Sequence, residues 1–180
     1  MNKMKYIVAS DIHGSLEYTN KLIGIINEKK PDKVILLGDL YYHGPRNPLP
    51  LNYNPKEVSK VFNNMKDRLI VIKGNCDAVV DEMISDFKFN DYLELMIGNK
   101  KCFFTHGHQY NKDNIPNNVD VLIYGHFHTG FIENVDGVIC INSGSITLPK
   151  NNTKHSYLEI DNNVIKLLSL DNELIDLIEL

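Results

Sequence analysis

The chain of 180 residues has the composition of an ordinary globular protein, with 43% hydrophobic and 23% charged residues, so we expect one domain spanning residues 1–180. Its net charge of −4 and the lack of a basic cluster argue against stable nucleic-acid binding, and no stretch reaches the ~18 consecutive apolar residues of a membrane span. Three widely spaced cysteines argue against a disulfide framework, and the N-terminus has no apolar leader, so a cytoplasmic location is predicted.

The first half of the chain alternates between strand and helix patterns. Apolar runs at 5–9, 34–37 and 69–72 predict three strands, and the second run lacks polar alternation, which is typical of a strand buried on both faces. Helical patterns cover about 15–29 and about 54–65. This βαβαβ order predicts a largely parallel sheet with right-handed crossovers.

The second half of the chain has a different pattern, with short strands joined by hairpin signals such as Gly98-Asn99 and Asp136-Gly137. A short helix is predicted over 78–84. Strands are then predicted at 92–97, 101–105, 121–124, 131–135, 138–142, 156–160 and 164–169. Parallel strands followed by hairpins indicate two packed sheets with helices outside, and no internal repeat or linker divides the chain.

Polar side chains of metal-binding type repeatedly follow the predicted strands. The first such turn carries Asp11 and His13, one hard oxygen and one imidazole that together suit a divalent metal. The equivalent turns contain Asp39, Asn75, His106, His108, His126 and His128, so that, together with His13, five of the seven histidines lie in turns of this kind. Any one of these residues alone would fit a helix cap or an ordinary turn. Their repetition at strand ends, where open α/β sheets bind ligands, predicts a metal site instead.

The candidate ligands are too numerous for one ion. A structural zinc ion takes four ligands, whereas a larger set suits two ions that share one carboxylate. Two metals ~3.5–4 Å apart are a recurrent arrangement for phosphoryl chemistry. The candidates are Asp11, His13, Asp39, Asn75, His106, His126 and His128.

The order of these blocks resembles the calcineurin-like metallophosphoesterases, and in detail their bacterial YfcE-type phosphodiesterases. The blocks with the closer match are Ser10-Asp11-Ile12-His13-Gly14-Ser15, Gly38-Asp39, His43-Gly44-Pro45-Arg46-Asn47, Gly74-Asn75-Cys76-Asp77 and Thr105-His106-Gly107-His108. The similarity extends over nearly the whole chain and implies an α/β fold, a four-layer α/β/β/α sandwich. It also implies a phosphodiesterase that hydrolyses phosphodiester bonds through a hydroxide bridging two divalent metal ions.

The resemblance further implies how the ligands divide between the two ions, with Asp39 bridging them. The first ion would take Asp11, His13, Asp39 and His128. The second ion would take Asp39, Asn75, His106 and His126. Mn²⁺ is the expected metal, with Zn²⁺, Fe²⁺, Co²⁺ and Ni²⁺ as alternatives, because mixed nitrogen and oxygen ligands accept all of them.

Other residues of the same blocks are implied to act on the substrate. Asn75, Cys76 and His108 are the candidate catalytic residues, and His43 and Arg46 are the candidate phosphate-binding residues. Two of these have an equally simple structural explanation, since His108 could be an exposed loop histidine and Cys76 a small buried residue.

Two positions differ from the phosphatases of the wider superfamily. His43 stands where those enzymes have an arginine, which the nearby Arg46 could replace, and Cys76 stands where they have a histidine general acid. These differences favour a small-molecule phosphodiester substrate. The alternatives are a phosphomonoesterase and a non-catalytic scaffold, like the retromer subunit of this fold; homo-oligomerisation is left open. The loop 41–53 is expected to form one wall of the site, where Tyr41, Tyr42 and Tyr53 either stack on an aromatic group or pack within the loop.

Overall fold

The computed structural model describes residues 4–180, which form two β-sheets and three α-helices. The strands of the first sheet are β1 (Tyr6–Ala9), β2 (Lys33–Leu36), β3 (Leu69–Ile72), β4 (Phe89–Asn90), β10 (Ser156–Asp161), β11 (Val164–Ser169) and β12 (Leu174–Glu179). Their spatial order is β12-β11-β10-β1-β2-β3-β4. Strands β1 to β4 are mutually parallel, as the alternating pattern predicted, and β10 is antiparallel to β1.

The second sheet lies between β4 and β10 in the chain. Its strands are β5 (Leu93–Ile97), β6 (Lys100–Phe104), β7 (Val121–Tyr124), β8 (Phe131–Val135) and β9 (Val138–Asn142), in the order β5-β6-β7-β9-β8. The helices are α1 (Leu16–Lys29), α2 (Pro55–Asn63) and α3 (Val79–Met83). The prediction of a mixed α/β protein with two sheets is therefore confirmed.

The central strands β1 and β2 of the first sheet are buried on both faces, in keeping with their apolar residues at successive positions. On β1, Ile7 and Ala9 pack in the cluster that contains the buried faces of α1 and α2. The intervening Val8 packs in a second cluster with Phe104 and Ile123 of the second sheet. A parallel strand that is covered on both faces has apolar residues at consecutive positions, which explains the uninterrupted apolar runs in the sequence.

Both long helices begin at side-chain caps. The Ser15 hydroxyl accepts a hydrogen bond from the Tyr18 N–H (3.4 Å), and the Asn54 side chain accepts one from the Glu57 N–H (3.3 Å). Such caps satisfy backbone donors that the first helical turn leaves unpaired. They also set where α1 begins, immediately after the loop that carries Asp11 and His13.

Three features of the fold differ from the prediction. The strands β4 and β12 and a 3₁₀ turn at Lys66–Arg68 were not expected. β4 has only two residues, and the apolar residues of β12 do not alternate, so neither segment has a recognisable strand pattern. Both become strands because they pair with β3 and β11, respectively. The outer face of the second sheet packs against Ile115 and Val119, which lie in the loop between β6 and β7.

Within residues 4–180, no helix is both long enough and apolar enough to cross a membrane.

Candidate metal centre

The structure brings together all the predicted metal ligands at one edge of the molecule. Asp11 and His13 follow β1, Asp39 follows β2, Asn75 follows β3, His106 follows β6, and His126 and His128 follow β7. The candidate ligand atoms of Asp11, His13 and His128 all lie within 4.8 Å of one another, as do those of Asp11, Asp39 and His106. Carboxyl ends of parallel strands from both sheets thus meet at a single cluster.

Backbone carbonyl groups orient three of the four histidines. The Nδ1–H groups of His13, His106 and His128 donate to the carbonyls of Tyr42 (2.8 Å), Leu37 (2.7 Å) and Leu148 (2.6 Å), respectively. A carbonyl oxygen can only accept, so the proton of each neutral ring lies on Nδ1. In the neutral form of each ring, Nε2 therefore presents a lone pair to the cluster. This is the arrangement by which protein structures hold metal-binding histidines.

The inward-facing atoms lack partners that would satisfy them without a cation. The Nε2 atoms of His13 and His128 are 3.2 Å apart, so two lone pairs face each other when both rings are neutral. Asp11 is completely buried, and its Oδ1 has no hydrogen-bond donor among residues 4–180. A buried polar atom without a partner is costly. The donor set consequently fits divalent metal ions.

The charges of the cluster also favour a cation. Burial disfavours the charged form of His106, but the hydrogen bond and charge of Asp39 outweigh it and raise the His106 pKa to about 9. Burial and the neighbouring His106 lower the pKa of His126 to about 4. The carboxylates thus attract positive charge, while His126 keeps a free lone pair at neutral pH.

Backbone strain is concentrated in the same residues. Residues with positive φ in this cluster are Asp11 (58°), His13 (49°), Asp39 (56°), His126 (65°) and His128 (59°). This left-handed region costs energy for residues with a Cβ, although Asp and His tolerate it better than most. Non-glycine residues held in this region are typical of functional sites.

Two glycines allow the loops to approach one another closely. A Cβ at Gly74 would overlap the Asp39 carboxylate, and a Cβ at Gly125 would overlap the Ser10 side chain. The glycines that precede Asn75 and His126 are therefore required by loop packing around the cluster.

Asp77 supports the Asp39 loop and was not identified as a site residue from the sequence. Its carboxylate accepts hydrogen bonds from the backbone N–H groups of Asp39 (2.8 Å), Leu40 (2.8 Å) and Gly74 (2.7 Å). Burial nevertheless raises its pKa to about 6. Its position two residues after Asn75 was the available signal. We assign Asp77 as a residue that positions the loops after β2 and β3.

The turn after β9 supports the Asp11 loop in a similar way. Ser145 Oγ donates to the Asp11 carbonyl (2.9 Å), and Thr147 Oγ1 donates to the Ile12 carbonyl (2.8 Å). Sequence reasoning missed both residues, although they follow a buried strand as the candidate ligands do.

The cluster opens into a cleft of about 840 Å³. Asp39, Asn75, Cys76, His126 and His128 line it, together with Tyr42, Gly44, Pro45, Arg46, Asn47, Pro48, Phe127 and Lys150. The structure thus places Arg46 on the cleft wall, and it adds Lys150 and Phe127, which were not predicted to line the site. Nothing in their local sequence marked them, apart from the position of Phe127 between two candidate ligands.

The remaining predicted site residues have different surroundings. His43 packs edge-on between the rings of Tyr42 (4.8 Å) and Tyr53 (5.3 Å) and does not line the cleft. His108 is exposed, with its ring centre 5.4 Å from that of His106. Their predicted contacts with substrate stay predictions.

Cys76 lies directly beside the cluster. Its backbone N–H donates to Asp39 Oδ1 (2.8 Å), and its thiol is within 4.8 Å of candidate ligand atoms of His13 and Asp39. Burial, with the nearby charge of Asp39, raises the pKa of the thiol to about 12. The side chain is therefore neutral around pH 7.

Comparison with known proteins identifies relatives over nearly the full chain. The calcineurin-like phosphoesterase superfamily domain matches residues 4–163. Phosphodiesterase YfcE of Escherichia coli K12 is 35% identical over 173 residues, covering 94% of each protein. The solved structure of E. coli Yfce, a phosphoesterase, matches with a TM-score of 0.93 at 34% identity, covering 98% of this chain and 99% of that one. Phosphodiesterase MJ0936 of Methanocaldococcus jannaschii is 31% identical over 151 residues, which is 78% of this chain and 83% of the relative.

A more distant similarity concerns the fold alone. Vps29 of Entamoeba histolytica, solved in complex with Zn²⁺, matches with a TM-score of 0.63 at 22% identity, covering 98% of this chain and 99% of that one.

We expect Asp77→Asn to weaken metal binding by about 10- to 100-fold, which is the usual effect of losing a group that orients a ligand. The amide keeps one acceptor oxygen and presents N–H protons to backbone donors, so the Asp39 loop shifts. Titration of the metal-free protein with Mn²⁺ measures this effect. The matched control is Asp81→Asn, because Asp81 is equally buried (7% exposed for each residue) but caps α3 only. Unchanged Mn²⁺ affinity in Asp77→Asn would contradict the positioning role.

Proposed function

Because the chain belongs to the calcineurin-like phosphoesterase superfamily, we propose that it is a metal-dependent phosphodiesterase with two divalent ions in the cluster. Its substrate is a small-molecule phosphodiester bound in the adjacent cleft. The relatives named phosphodiesterase support the reaction type. The ion count, the ligand assignment and the cytoplasmic location are parts of this proposal.

The orientation of the Asp39 carboxylate is the observation that carries the proposal. Oδ1 accepts the hydrogen bond from the Cys76 N–H, so Oδ2 faces the cluster. That oxygen lies 3.4 Å from His106 Nε2 on one side and 3.7 Å from His13 Nε2 on the other. A single carboxylate between two groups of histidines is what a bridging ligand requires, and this supports the proposal.

The distances support the division of ligands between the two ions. Asp11 Oδ1 lies 3.2 Å from His128 Nε2 and 3.6 Å from His13 Nε2, which groups these residues around the first site. His106 Nε2 lies 3.0 Å from Asn75 Oδ1 and 3.2 Å from His126 Nδ1, which groups these three around the second site. Asp39 is shared.

Bound divalent ions supply an activated water for attack on phosphorus and Lewis-acid stabilisation of the phosphoryl oxygens. The residues of the chain position the substrate around them. Arg46 and Lys150 on the cleft wall are placed to attract an anionic phosphodiester. His108 is proposed to contact the phosphate or to support the ligands, and His43 to hold the loop that carries Arg46.

The chain offers no strong general acid at the Cys76 position. A thiol with a pKa near 12 is a poor proton donor at neutral pH. Expulsion of an alkoxide without a proton donor is slow, since a positioned general acid contributes ~10²–10⁴-fold. Substrates whose leaving groups depart without protonation, such as aryl phosphodiesters, are therefore favoured over alkyl monoesters.

Metal analysis combined with hydrolysis of bis-p-nitrophenyl phosphate tests the proposal. We expect two ions per chain and turnover that increases with added Mn²⁺, the metal that we propose; Zn²⁺, Fe²⁺, Co²⁺ and Ni²⁺ are the alternatives to compare. Faster hydrolysis of p-nitrophenyl phosphate than of the diester would indicate a phosphomonoesterase. A protein without metal or turnover would instead be a scaffold.

Asp39→Asn should lose the two-ion centre and nearly all diesterase activity, because the amide nitrogen cannot take the place of a bridging carboxylate oxygen. The fold should persist, since Asp39 lies in a turn and outside the apolar core. Metal content, diesterase rate and thermal unfolding measure these effects, and Asp113→Asn, at an exposed loop position, is the control. Activity close to that of the unsubstituted protein would contradict the bridging role.

His13→Ala and Asn75→Ala should each remove ligands from a different site. Both variants should have lower activity and retain about one tightly bound ion per chain, as determined by elemental analysis after dialysis. His155→Ala is the control for His13→Ala, because His155 is a partly buried histidine outside the cluster. Two ions in both ligand variants would show that the assignment is wrong.

Cys76→Ala should change the diesterase rate by less than about tenfold, well below the ~10²–10⁴-fold contribution of a general acid. Cys76→His should increase the rate on an alkyl monoester, such as glycerol phosphate, relative to the diester, because an alkoxide leaving group needs the proton that imidazole can donate near neutral pH. Steady-state rates with both substrates measure the ratio. Loss of diester hydrolysis in Cys76→Ala with both ions bound would identify the thiol as catalytic.

A further inference from the structure

The cleft is larger than a phosphodiester group requires. Ligand pockets of 300–1,000 Å³ hold whole small molecules, and this cleft measures about 840 Å³. The phosphate would occupy only its floor beside the cluster. The walls must therefore contact the substituents of the ester, and their chemistry indicates what those substituents are.

Phe127 is a large apolar side chain on the cleft wall. It lies between the candidate ligands His126 and His128 and is 43% exposed. Its ring is perpendicular to those of Tyr124 (6.1 Å, 80°) and His126 (5.1 Å, 81°), which hold it in place. Nearly half of this phenylalanine is thus available for contact with a ligand, and the rigid loop of the metal centre fixes its position.

Tyr42 is a second exposed aromatic residue in the same cleft, also at 43% exposure. Its carbonyl accepts the hydrogen bond from His13 Nδ1, so its backbone is tied to the cluster. The other two tyrosines that were considered from the sequence do not line the cleft, because Tyr41 is 2% exposed and Tyr53 packs on Gly14 and His43.

The walls also carry positive charge. Arg46 and Lys150 line the cleft, and Asp39 at the floor is its single carboxylate among the described residues. The ion pairs formed within residues 4–180 leave both cations without a carboxylate partner. The backbone N–H of Lys150 donates to the carbonyl of His128 (2.9 Å), the residue that follows Phe127. This hydrogen bond holds Lys150 beside the loop that carries Phe127.

We propose that Phe127 and Tyr42 form a subsite for a planar aromatic substituent of the substrate, with Arg46 and Lys150 holding negative charge on the same molecule. A nucleobase attached to a sugar phosphate combines both features, so the ligand class is a small nucleotide-like phosphodiester whose leaving group departs without protonation. This inference rests on the proposed phosphodiesterase function and specifies its substrate class.

Binding of AMP and ribose 5-phosphate to the Mn²⁺-loaded protein tests the subsite by calorimetry. The two probes share the sugar and the phosphate and differ only in the base. Stacking of one base on aromatic side chains corresponds to about 5- to 150-fold in affinity, so we expect AMP to bind at least ~10-fold more tightly. Phe127→Ala should reduce this preference to less than about threefold, and Tyr42→Ala should reduce it in part.

Matched variants separate stacking from a general structural effect. Phe127→Tyr retains an aromatic face and should keep the preference for AMP, and so should Tyr92→Ala, which removes a 54% exposed tyrosine outside the cleft. Equal affinity for the two probes, no measurable AMP binding, or a full preference in Phe127→Ala would overturn the proposal. So would an oligothymidylate that binds more than tenfold more tightly than thymidine 5′-phosphate, because a nucleic-acid strand would then be the ligand.

The outcomes also distinguish this inference from the proposed function. If the protein hydrolyses bis-p-nitrophenyl phosphate but shows no preference for AMP, the subsite is wrong and the phosphodiesterase function stands. If it does not hydrolyse the diester but shows an AMP preference that depends on Phe127, the subsite stands and the function is wrong.

Discussion

Two buried carboxylates, those of Asp11 and Asp39, impose the constraint on which the site depends. An ion removed from water costs several kcal/mol unless other groups compensate it. One oxygen of each carboxylate accepts a backbone hydrogen bond, from the N–H of His126 to Asp11 (2.9 Å) and of Cys76 to Asp39 (2.8 Å). The other oxygen of each faces histidine nitrogens whose ring protons point away to carbonyl groups. A cation between these atoms would balance the negative charges of the two carboxylates, which is why the cluster suits cations.

The packing of the two sheets fixes the positions of the turns that carry these carboxylates and histidines. Turns of the two sheets bond to one another, as in the hydrogen bonds from the His106 Nδ1–H to the Leu37 carbonyl (2.7 Å) and from the Ile146 N–H to the Ser10 carbonyl (3.3 Å). Asp77 and Ser145 add side-chain bonds behind the ligands. The strained backbone conformations of the cluster can persist because these contacts over-determine them.

The cleft combines a rigid floor with more exposed walls. On the floor, Asp39 and His128 are buried and held by hydrogen bonds to backbone groups, whereas Tyr42, Arg46 and Phe127 are exposed to solvent. Residues of the floor can perform the same phosphoryl chemistry on many esters. In the proposed phosphodiesterase, discrimination between esters depends on the wall residues, because these are placed beyond the phosphate site.

Much of the fold and of the candidate site could be predicted from the sequence because both depend on local patterns. The uninterrupted apolar run at β2 indicates burial on both faces wherever the strand lies, and polar ligand types after successive strands indicate a site at their carboxyl ends. The pairing of β12, the supporting role of Asp77 and the exposure of Phe127 and Lys150 on the cleft wall could not be predicted in this way. Each depends on which residues of distant segments come into contact, and only tertiary packing of the two sheets decides that.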